Sequence, residues 1–96
     1  MAMTITWDEE KNRHNKRKHR VSFQTAQLVF NDPLHVSIPD RFEGDEERWQ
    51  TMGLVRSMVV LLVAHTYAER GGKETIRIIS ARKATKKERI LYEESK

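Results

Sequence analysis

Three permanently charged side chains lie close together near the C-terminal end of the chain: Arg77, Arg82 and Lys83. A guanidinium group offers planar, bidentate hydrogen bonding to phosphate and stays protonated at any physiological pH. Such a cluster suits binding a phosphate group, or stabilising one whose negative charge grows in a transition state. The alternative for Arg77 is structural, since it could pair with Glu69 or Glu74 across a sheet edge.

A second group of residues suited to chemistry lies near position 19. Lys18 and Arg20 supply permanent charges on either side of His19, and an imidazole is the side chain that exchanges protons near neutral pH. Further along, Tyr67 could stack on a base and Arg70 could bind another phosphate. Each signal is weak alone, and the segment around His19 could equally be the solvated end of a helix.

The sequence does not contain the residue patterns that cysteine, metal-dependent or serine catalysis requires. The sequence has no cysteine, which excludes disulfides, thiolate metal clusters and cysteine nucleophiles. The four histidines follow no metal-ligand pattern; His14 and His19, five positions apart, would point in different directions on a helix. No serine has a Gly-x-Ser-x-Gly context, and Gly71-Gly72 fits a turn rather than a phosphate loop. The sequence therefore predicts neither a metal nor another cofactor.

Length and composition predict one domain spanning residues 1–96. Hydrophobic residues make up 38% of the chain and charged residues 33%, which allows a modest core and argues against disorder. No apolar run approaches the ~20 residues of a membrane helix, and no signal-peptide pattern is present. A cytoplasmic protein with no membrane partner is expected.

The net charge of +4 is unevenly spread. Residues 1–30 carry six basic and three acidic side chains, residues 31–51 carry two and six, and residues 52–96 carry ten and five. Two basic segments around an acidic one can fold into a bipolar surface, and a basic face is the usual footprint for phosphate backbones. A surface that is merely soluble is the alternative.

The N-terminal third predicts a strand followed by two helices. Apolar residues alternate through the strand at Met3, Ile5 and Trp7. Asp8 begins a nearly all-polar helix whose acidic start and basic end suit the helix dipole. Ser22 is a good N-cap for the second helix, which Asn31-Asp32-Pro33 ends.

The remaining residues predict four strands and a final helix. Strands are expected at 36–39, 46–54, 58–67 and 75–81, separated by an acidic loop through Asp45, a turn near Gly53 and a hairpin at Gly71-Gly72. In the last strand, strict alternation puts Ile76, Ile78 and Ser80 on one face and Arg77, Ile79 and Ala81 on the other. Thr85 and Glu88 match a capping box at the start of the final helix.

These elements predict an α+β domain. It has an antiparallel sheet of four to five strands, two N-terminal helices and one C-terminal helix. The helices are expected to pack on one face of the sheet and to leave the other face partly free.

Short motifs along most of the chain resemble those of one family. The motifs are Trp7-Asp8 with Lys11 and Asn12, Asn15, Lys18-His19, Val21-Ser22-Phe23 with Ala26, Phe30-Asn31-Asp32-Pro33, Glu47-Arg48 with Gly53, the block from Ile76 to Arg82, and Ala84, Glu88 and Tyr92. Over residues 3–93 they resemble the BrnT toxins, which belong to the RelE-like group of bacterial ribonuclease toxins. One departure is Arg20, where the family usually has glycine, and it leaves the conformation of that turn open.

The resemblance implies a RelE-like fold and a toxin of a type II toxin–antitoxin system that cleaves RNA to inhibit translation and growth. In this reaction the ribose 2′-hydroxyl attacks the neighbouring phosphate, without a metal, and leaves a cyclic phosphate and a 5′-hydroxyl. The implied partners are the RNA substrate and a BrnA-like antitoxin, in a complex with two copies of each chain. The toxin would contact operator DNA only as part of that complex.

The family motifs also suggest site residues. The predicted catalytic residues are His19, Arg70, Arg77 and Arg82. Arg77 and Arg82 would clamp the phosphate, Arg70 would be a supporting cation, and His19 a general base or acid. The predicted RNA-binding residues are Lys18, Tyr67 and Lys83, with Tyr67 stacking on or orienting a base.

Two other classes of protein stay open on the sequence alone. A basic module that only binds nucleic acid would give no cleavage products, and its binding would weaken steeply with salt. A structural, partner-binding protein would bury its basic face in an acidic surface of another chain. The latter is compatible with a toxin, because an antitoxin must cover the active site.

Overall fold

The computed structural model describes residues 2–95, which form five strands, three α-helices and a 3₁₀ helix. In chain order these are β1 (Ala2–Trp7), α1 (Glu9–His19), α2 (Phe23–Ala26), the 3₁₀ helix (Gln27–Asn31), β2 (Val36–Glu43), β3 (Glu46–Val55), β4 (Val59–Arg70), β5 (Lys73–Lys83) and α3 (Lys86–Glu94). The strands form one sheet in the order β1-β5-β4-β3-β2. The predicted α+β class is confirmed. None of the helices in this part of the chain is long and apolar enough to cross a membrane.

The predicted helix starts are confirmed by their caps. The Asp8 carboxylate accepts from the backbone N–H groups of Glu10 and Lys11, and Ser22 Oγ accepts from Thr25 N–H. Thr85 and Glu88 form the complete capping box. Each side chain satisfies backbone donors that have no partner inside the helix.

The sheet is mixed rather than purely antiparallel. Strands β2 to β5 form the predicted antiparallel meander. β1 lies parallel to β5, in a register that runs from Ala2 opposite Lys73 to Trp7 opposite Ile78. Alternating apolar residues predict a strand but carry no information about the direction in which it pairs.

Two turns differ from the sequence prediction. The acidic loop expected before Asp45 is largely part of β2, where Arg41 pairs with Arg48 and Glu43 with Glu46. This is an edge strand, and an edge strand tolerates charge because much of it faces solvent.

The turn expected near Gly53 is also wrong. Gly53 lies inside β3, opposite Leu61. A Cβ atom there would lie 2.7 Å from the carbonyl oxygen of Val29, so glycine is needed for the 3₁₀ helix to approach the sheet.

The helices pack on both faces of the sheet, which corrects the expectation of one covered face. The larger core joins α2 and the 3₁₀ helix to one face; it includes Phe23, Val29, Leu61, Val63 and Ile78. The smaller core joins α3 to the other face, which we call the open face; it includes Met52, Val60, Leu62, Ala84 and Tyr92. Consecutive residues of β4 thus serve two cores, as strand alternation requires when both faces are covered.

Asp32 ties the elements of the two cores together. Its carboxylate accepts from Leu54 N–H at 2.8 Å, from Leu34 N–H at 2.9 Å, and from the Tyr92 hydroxyl. Burial, and then the hydrogen bond to Asp32, raise the pKa of Tyr92 to about 12. Tyr92 is therefore a neutral donor across the physiological pH range.

A β-bulge in β5 changes which side chains share a face. Ala64 pairs with Ser80 and its neighbour His65 pairs with Ile78, so Ile79 is an extra residue in the strand. Ala81 is consequently buried in the same core as Ile78, and its predicted grouping with Arg77 is wrong. Beyond the bulge the alternation is inverted, so Arg77 and Arg82 lie on the same face.

The buried amide of Asn15 holds β5 next to this bulge. β1 ends opposite Ile78, so the following edge of β5 has lost its neighbouring strand. Asn15 Nδ2 donates to Ala81 O at 2.8 Å, and Asn15 Oδ1 accepts from Ala81 N–H at 3.1 Å. Nδ2 also donates to Val21 O at 2.9 Å. The Asn15 side chain thus makes hydrogen bonds to the edge of β5 that a neighbouring strand would otherwise make.

We predict that Asn15→Ala destabilises the protein by about 2–4 kcal/mol, because it leaves buried backbone groups of Ala81 and Val21 unpaired. The measurement is the free energy of unfolding in urea. Lys16→Ala, an exposed position in the same helix, is the control and should change it by less than about 0.5 kcal/mol. Equal effects of the two substitutions would contradict this role of Asn15.

The structure shows the conformation of the turn at Arg20, the position where the sequence departs from the family pattern. Arg20 caps α1 in the left-handed conformation, with φ 63° and ψ 23°, and its N–H donates to Lys16 O. This conformation favours glycine, the residue usual in the family, since a Cβ atom costs about 1–2 kcal/mol there.

We predict that Arg20→Gly raises the free energy of unfolding by up to about 1 kcal/mol, after the greater entropy of glycine in the unfolded chain is subtracted. Arg17→Gly removes the same side chain inside α1 and should lower it by about 1 kcal/mol. Urea denaturation of both variants tests whether the free energy of unfolding changes in opposite directions. Destabilisation by both would show that the left-handed turn carries no strain.

Candidate active site

A row of polar side chains crosses the open face of the sheet. Its members are paired strand by strand in the register of the sheet: Thr6, Arg77, Thr66, Arg48 and Arg41. Neighbouring strands are about 5 Å apart, so three guanidinium groups and two hydroxyls belong to one short line. We call this set the arginine row.

Arg77 is held in the row by Glu46. Its Nη2 donates to Glu46 Oε1 at 3.0 Å, and its Nη1 lies 3.0 Å from Oε2, which is a two-pronged ion pair. The hydrogen bond from Arg77 keeps the pKa of Glu46 below its usual value. The partner is thus neither Glu69 nor Glu74, the alternatives that the sequence suggested. Thr66 Oγ1 accepts from the backbone N–H of Arg77 at 3.2 Å.

Arg48 lies near the same carboxylate. Its Nη2 is 3.7 Å from Glu46 and 3.6 Å from Glu43. Within residues 2–95, its buried Nε–H has no hydrogen-bond acceptor. Leaving a buried donor unpaired costs about 1–3 kcal/mol, so this part of the row is not arranged for stability alone.

Arg82 lies further along the open face, bound to α3. Its Nη1 and Nη2 donate to the two carboxylate oxygens of Glu88 at 2.8 and 2.9 Å. Glu88 Oε1 also accepts from Thr85 N–H in the capping box. The hydrogen bonds from Arg82 are the main reason why the pKa of Glu88 falls to about 2, and the same pair raises the pKa of Arg82. Arg82 therefore anchors α3 to the end of β5.

Two predicted residues lie in a groove between α1 and β5. Lys18 and His19 line it together with Ile79 and Ser80 of the strand, around a volume of about 520 Å³. Ser80 lies between Arg77 and Arg82 in β5. The groove therefore meets the edge of the open face midway between the two arginines.

The other predicted residues lie elsewhere. Arg70 is exposed at the tip of the β4–β5 hairpin, paired with Lys73, about 13 Å along β4 from the level of Thr66 and Arg77. Lys83 follows Arg82 but pairs with Leu61, a residue of the larger core, so alternation directs it to the opposite face. The structure does not gather the predicted residues into one cluster.

Tyr67 lies on the face opposite Arg77, in an aromatic pocket of about 370 Å³. The pocket is lined by Met3, Phe30, His35, Ser37, Trp49, His65, Tyr67, Glu74 and Ile76. The Tyr67 hydroxyl donates to Glu74 at 2.8 Å, and its ring meets Trp49 edge to face with centroids 6.5 Å apart. Tyr67 could orient a ligand in this pocket, but not one bound to Arg77 from the open face.

His65 is a buried, neutral part of the wall of this pocket. Its Nδ1 lies 2.9 Å from the carbonyl oxygen of Thr66, which can only accept, so Nδ1 carries the proton. Nε2 then accepts from the hydroxyl of Thr51 at 2.7 Å. Burial lowers the pKa of His65, so the ring has a structural role at neutral pH.

Sequence reasoning missed the partners of the two arginines. Glu46, Thr66 and Arg48 reach Arg77 only through the register of the sheet, which the sequence does not show. Glu47-Arg48 stood among the family motifs without a role. Glu88 stood in a capping box and among the family motifs, and neither signal revealed its bond to Arg82. Among residues 2–95, no three His, Cys, Asp or Glu side chains are placed to hold a metal ion.

Comparison with known proteins agrees with the motifs. Residues 7–88 match the sequence model of a family described as the ribonuclease toxin BrnT of type II toxin–antitoxin systems. Among solved structures, the chain is similar to the 1.1 Å crystal structure of the Brucella abortus ribonuclease toxin BrnT. The two share 27% sequence identity with a TM-score of 0.62, over 88% of this chain and 100% of that one. No curated protein matches the sequence.

We predict that the bond between Arg82 and Glu88 makes stability fall in acid. The pKa of Glu88 is about 2 in the folded protein against a usual 4.5, so its carboxylate stabilises the fold above pH 4.5. That contribution is lost as the pH falls from 4.5 towards 2. Glu88→Gln should lower the free energy of unfolding at pH 7, and its difference from the parent should shrink below pH 4.5.

The measurement is urea denaturation at several pH values between 7 and 3. Glu94→Gln, at an exposed position of the same helix, is the control. A difference between the parent and Glu88→Gln that stays constant down to pH 3 would refute the coupling.

Proposed function

Because the chain belongs to the BrnT family of ribonuclease toxins of type II toxin–antitoxin systems, we propose that it cleaves RNA on the open face of its sheet, without a metal, and so inhibits translation and growth. The observation that carries the proposal is Arg77, a guanidinium of the arginine row that the Glu46 carboxylate holds in place. Family membership implies RNA as the substrate. It also implies a cognate antitoxin as the protein partner, which we expect to cover this face.

The proposed reaction needs three groups. The ribose 2′-hydroxyl attacks the adjacent phosphorus and loses its proton to a base. The bond from phosphorus to the 5′-oxygen breaks, and that oxygen takes up a proton. The products are a 2′,3′-cyclic phosphate and a 5′-hydroxyl. In between, negative charge on the phosphate oxygens grows and must be met by cations.

Arg77 is the cation best placed to meet that charge. A guanidinium has five N–H donors, and the pair with Glu46 uses two of them. The remaining donors can bind phosphate oxygens while Glu46 keeps the group in a fixed orientation. Preorganised donors of this kind need no rearrangement when the charge develops, which is the source of their effect on rate.

Two groups are candidates for the proton transfers. Glu46 is ionised at neutral pH like any solvent-accessible glutamate, the bond from Arg77 lowers its pKa further, and it touches the phosphate-binding guanidinium. We propose Glu46 as the base that accepts the proton of the 2′-hydroxyl. His19, in the groove that meets the open face at Ser80, is the proposed donor to the 5′-oxygen.

The other predicted residues take supporting roles. We propose Arg82 as a second phosphate ligand, using donors that Glu88 leaves free. Lys18 would bind the RNA backbone in the groove. Arg70, Lys83 and Tyr67 would contact RNA outside the reacting phosphate, given their places on the hairpin tip and on the opposite face.

We predict that Arg77→Ala lowers the rate of RNA cleavage by about 10²–10³-fold, the usual effect of losing one preorganised donor to a developing oxyanion. The cleavage rate of Arg77→Lys should lie between that of the parent and that of Arg77→Ala, because lysine keeps the charge but not the planar pair of donors. The measurement is cleavage of a defined RNA in EDTA, with both product ends identified. Arg89→Ala, at an exposed position of α3, is the control, and thermal melting checks that each variant folds.

Several results would overturn the proposal. Cleavage that stops in EDTA, or that persists when the nucleotide at the cut carries no 2′-hydroxyl, would refute the mechanism. A rate within twofold of the parent for a folded Arg77→Ala would refute the site. In the pH–rate profile, Glu46→Gln should remove the loss of rate at low pH that a general base causes, and His19→Gln should remove the loss of rate at high pH that a general acid causes. If each substitution instead removed the other limb, the roles of Glu46 and His19 would be reversed.

A further inference from the structure

The whole net charge of the protein lies on one helix. Residues 9–20, which are α1 and its C-cap, carry six Lys and Arg against two Glu, and the rest of the chain carries twelve basic and twelve acidic residues. The excess in this segment equals the +4 of the whole chain. We call its six cations the basic face of α1: Lys11, Arg13, Lys16, Arg17, Lys18 and Arg20.

Among residues 2–95, most of these cations have no carboxylate partner, unlike those of the sheet. The arginines of the open face are engaged with carboxylates, as in the pairs of Arg77 with Glu46 and Arg82 with Glu88. On α1, Arg13 pairs with Glu10 at 3.4 Å, with both side chains largely exposed. Across residues 2–95, no carboxylate oxygen lies within 4 Å of the charged nitrogens of Lys16, Arg17 or Lys18.

The placement of basic residues in the last turn of α1 suits the helix dipole, but the spacing of some of the cations is unfavourable. Arg13 and Arg17 are four positions apart and Arg13 and Lys16 are three apart, so like charges face each other; each such pair costs about 0.2–0.5 kcal/mol. Apolar packing does not compensate, since the buried residues of α1 are Asn12 and Asn15. Asn12 Oδ1 accepts from Phe23 N–H at 2.8 Å, and Asn15 binds β5, so amide hydrogen bonds hold the helix. Its charged side is left to solvent or to an external anion.

The cations line two grooves, one of which leads to the candidate active site. Arg13, Lys16, Arg17 and Arg20 surround a groove of about 400 Å³ on the outside of the helix. Lys11, Arg17 and Lys18 line the groove between α1 and β5, which also contains Ser80. Ser80 lies about 10 Å along β5 from Arg77. A strand bound in this groove would pass over the edge of β5 onto the open face.

We propose that the basic face of α1 binds the phosphodiester backbone of single-stranded RNA and guides it across Ser80 to Arg77. An acidic protein is a poorer match, because protein interfaces have an apolar, aromatic core, and the outer groove is lined by Arg and Lys side chains. The outer groove has no aromatic side chain that could stack on bases, so binding there depends on the charge of the RNA and not on its sequence. The identity of the nucleic acid rests on the proposed function; the binding face rests on the charge and geometry of α1.

The test compares two double variants with the same loss of charge. Arg17→Gln, Lys18→Gln removes two cations of α1; Lys86→Gln, Lys87→Gln removes two exposed lysines of α3. The probe is a short, single-stranded 2′-O-methyl RNA with a fluorescent label, which cannot be cleaved because it has no free 2′-hydroxyl. Its Kd is measured by anisotropy over a range of salt concentrations, with thermal melts to confirm that both variants fold.

For the α1 variant, the slope of log Kd against log salt should fall by about 1.4, since each lost phosphate contact on single strands contributes about 0.7. The α3 variant should keep the slope of the parent. Equal slopes for the α1 variant and the parent, or equal losses in both variants, would overturn the proposal.

This outcome is separable from that of the proposed function. A parent that cleaves no RNA but shows the α1-specific change of slope would support the binding face and refute the ribonuclease. A parent that cleaves RNA while the α1 variant keeps the full slope would refute the binding face alone.

Discussion

The hydrogen bonds between the amide of Asn15 and the backbone of Ala81 are the constraint on which the rest of the structure depends. They lie where β5 outlasts its parallel neighbour β1 and just beyond the bulge at Ile79. An asparagine amide has a donor and an acceptor in a fixed plane, so it can satisfy both the N–H and the carbonyl of one residue. The same side chain binds Val21. These hydrogen bonds fix a polar helix, the turn after it and the bulged strand to one another.

Two consequences for function follow from this constraint. The bulge brings Arg77 and Arg82 to one face, where carboxylates from β3 and α3 orient them. The amide contact places α1 along the edge of the same strand, with its cations outward. The protein therefore separates two kinds of positive charge. The arginines on the sheet are paired and oriented, which suits a developing charge. The cations on the helix are exposed and, within residues 2–95, mostly without carboxylate partners, which suits a backbone that is already charged.

Local signals predicted the elements well, because their causes are local. Asp8, Ser22 and the pair of Thr85 and Glu88 begin helices by satisfying backbone donors within three positions of themselves, and the sequence shows such spacing directly. Gly53 was misread because the reason for a glycine there is the approach of Val29, which is distant in sequence. β2 was predicted too short because its charges, at a sheet edge, look like those of a loop.

The sequence by itself determined the α+β class, the helix caps, the antiparallel meander and, through short motifs, the family. It also supplied Arg77, Arg82, Lys18 and His19 as candidate residues. Tertiary structure decided which of them belong together. Strict alternation would have put Arg77 and Arg82 on opposite faces, and one extra residue at Ile79 inverts that result. Glu46 and Glu88 became their partners through the sheet register and the packing of α3. A bulge and a register depend on contacts between segments distant in sequence, such as Asn15 with Ala81, which no local pattern of residues encodes.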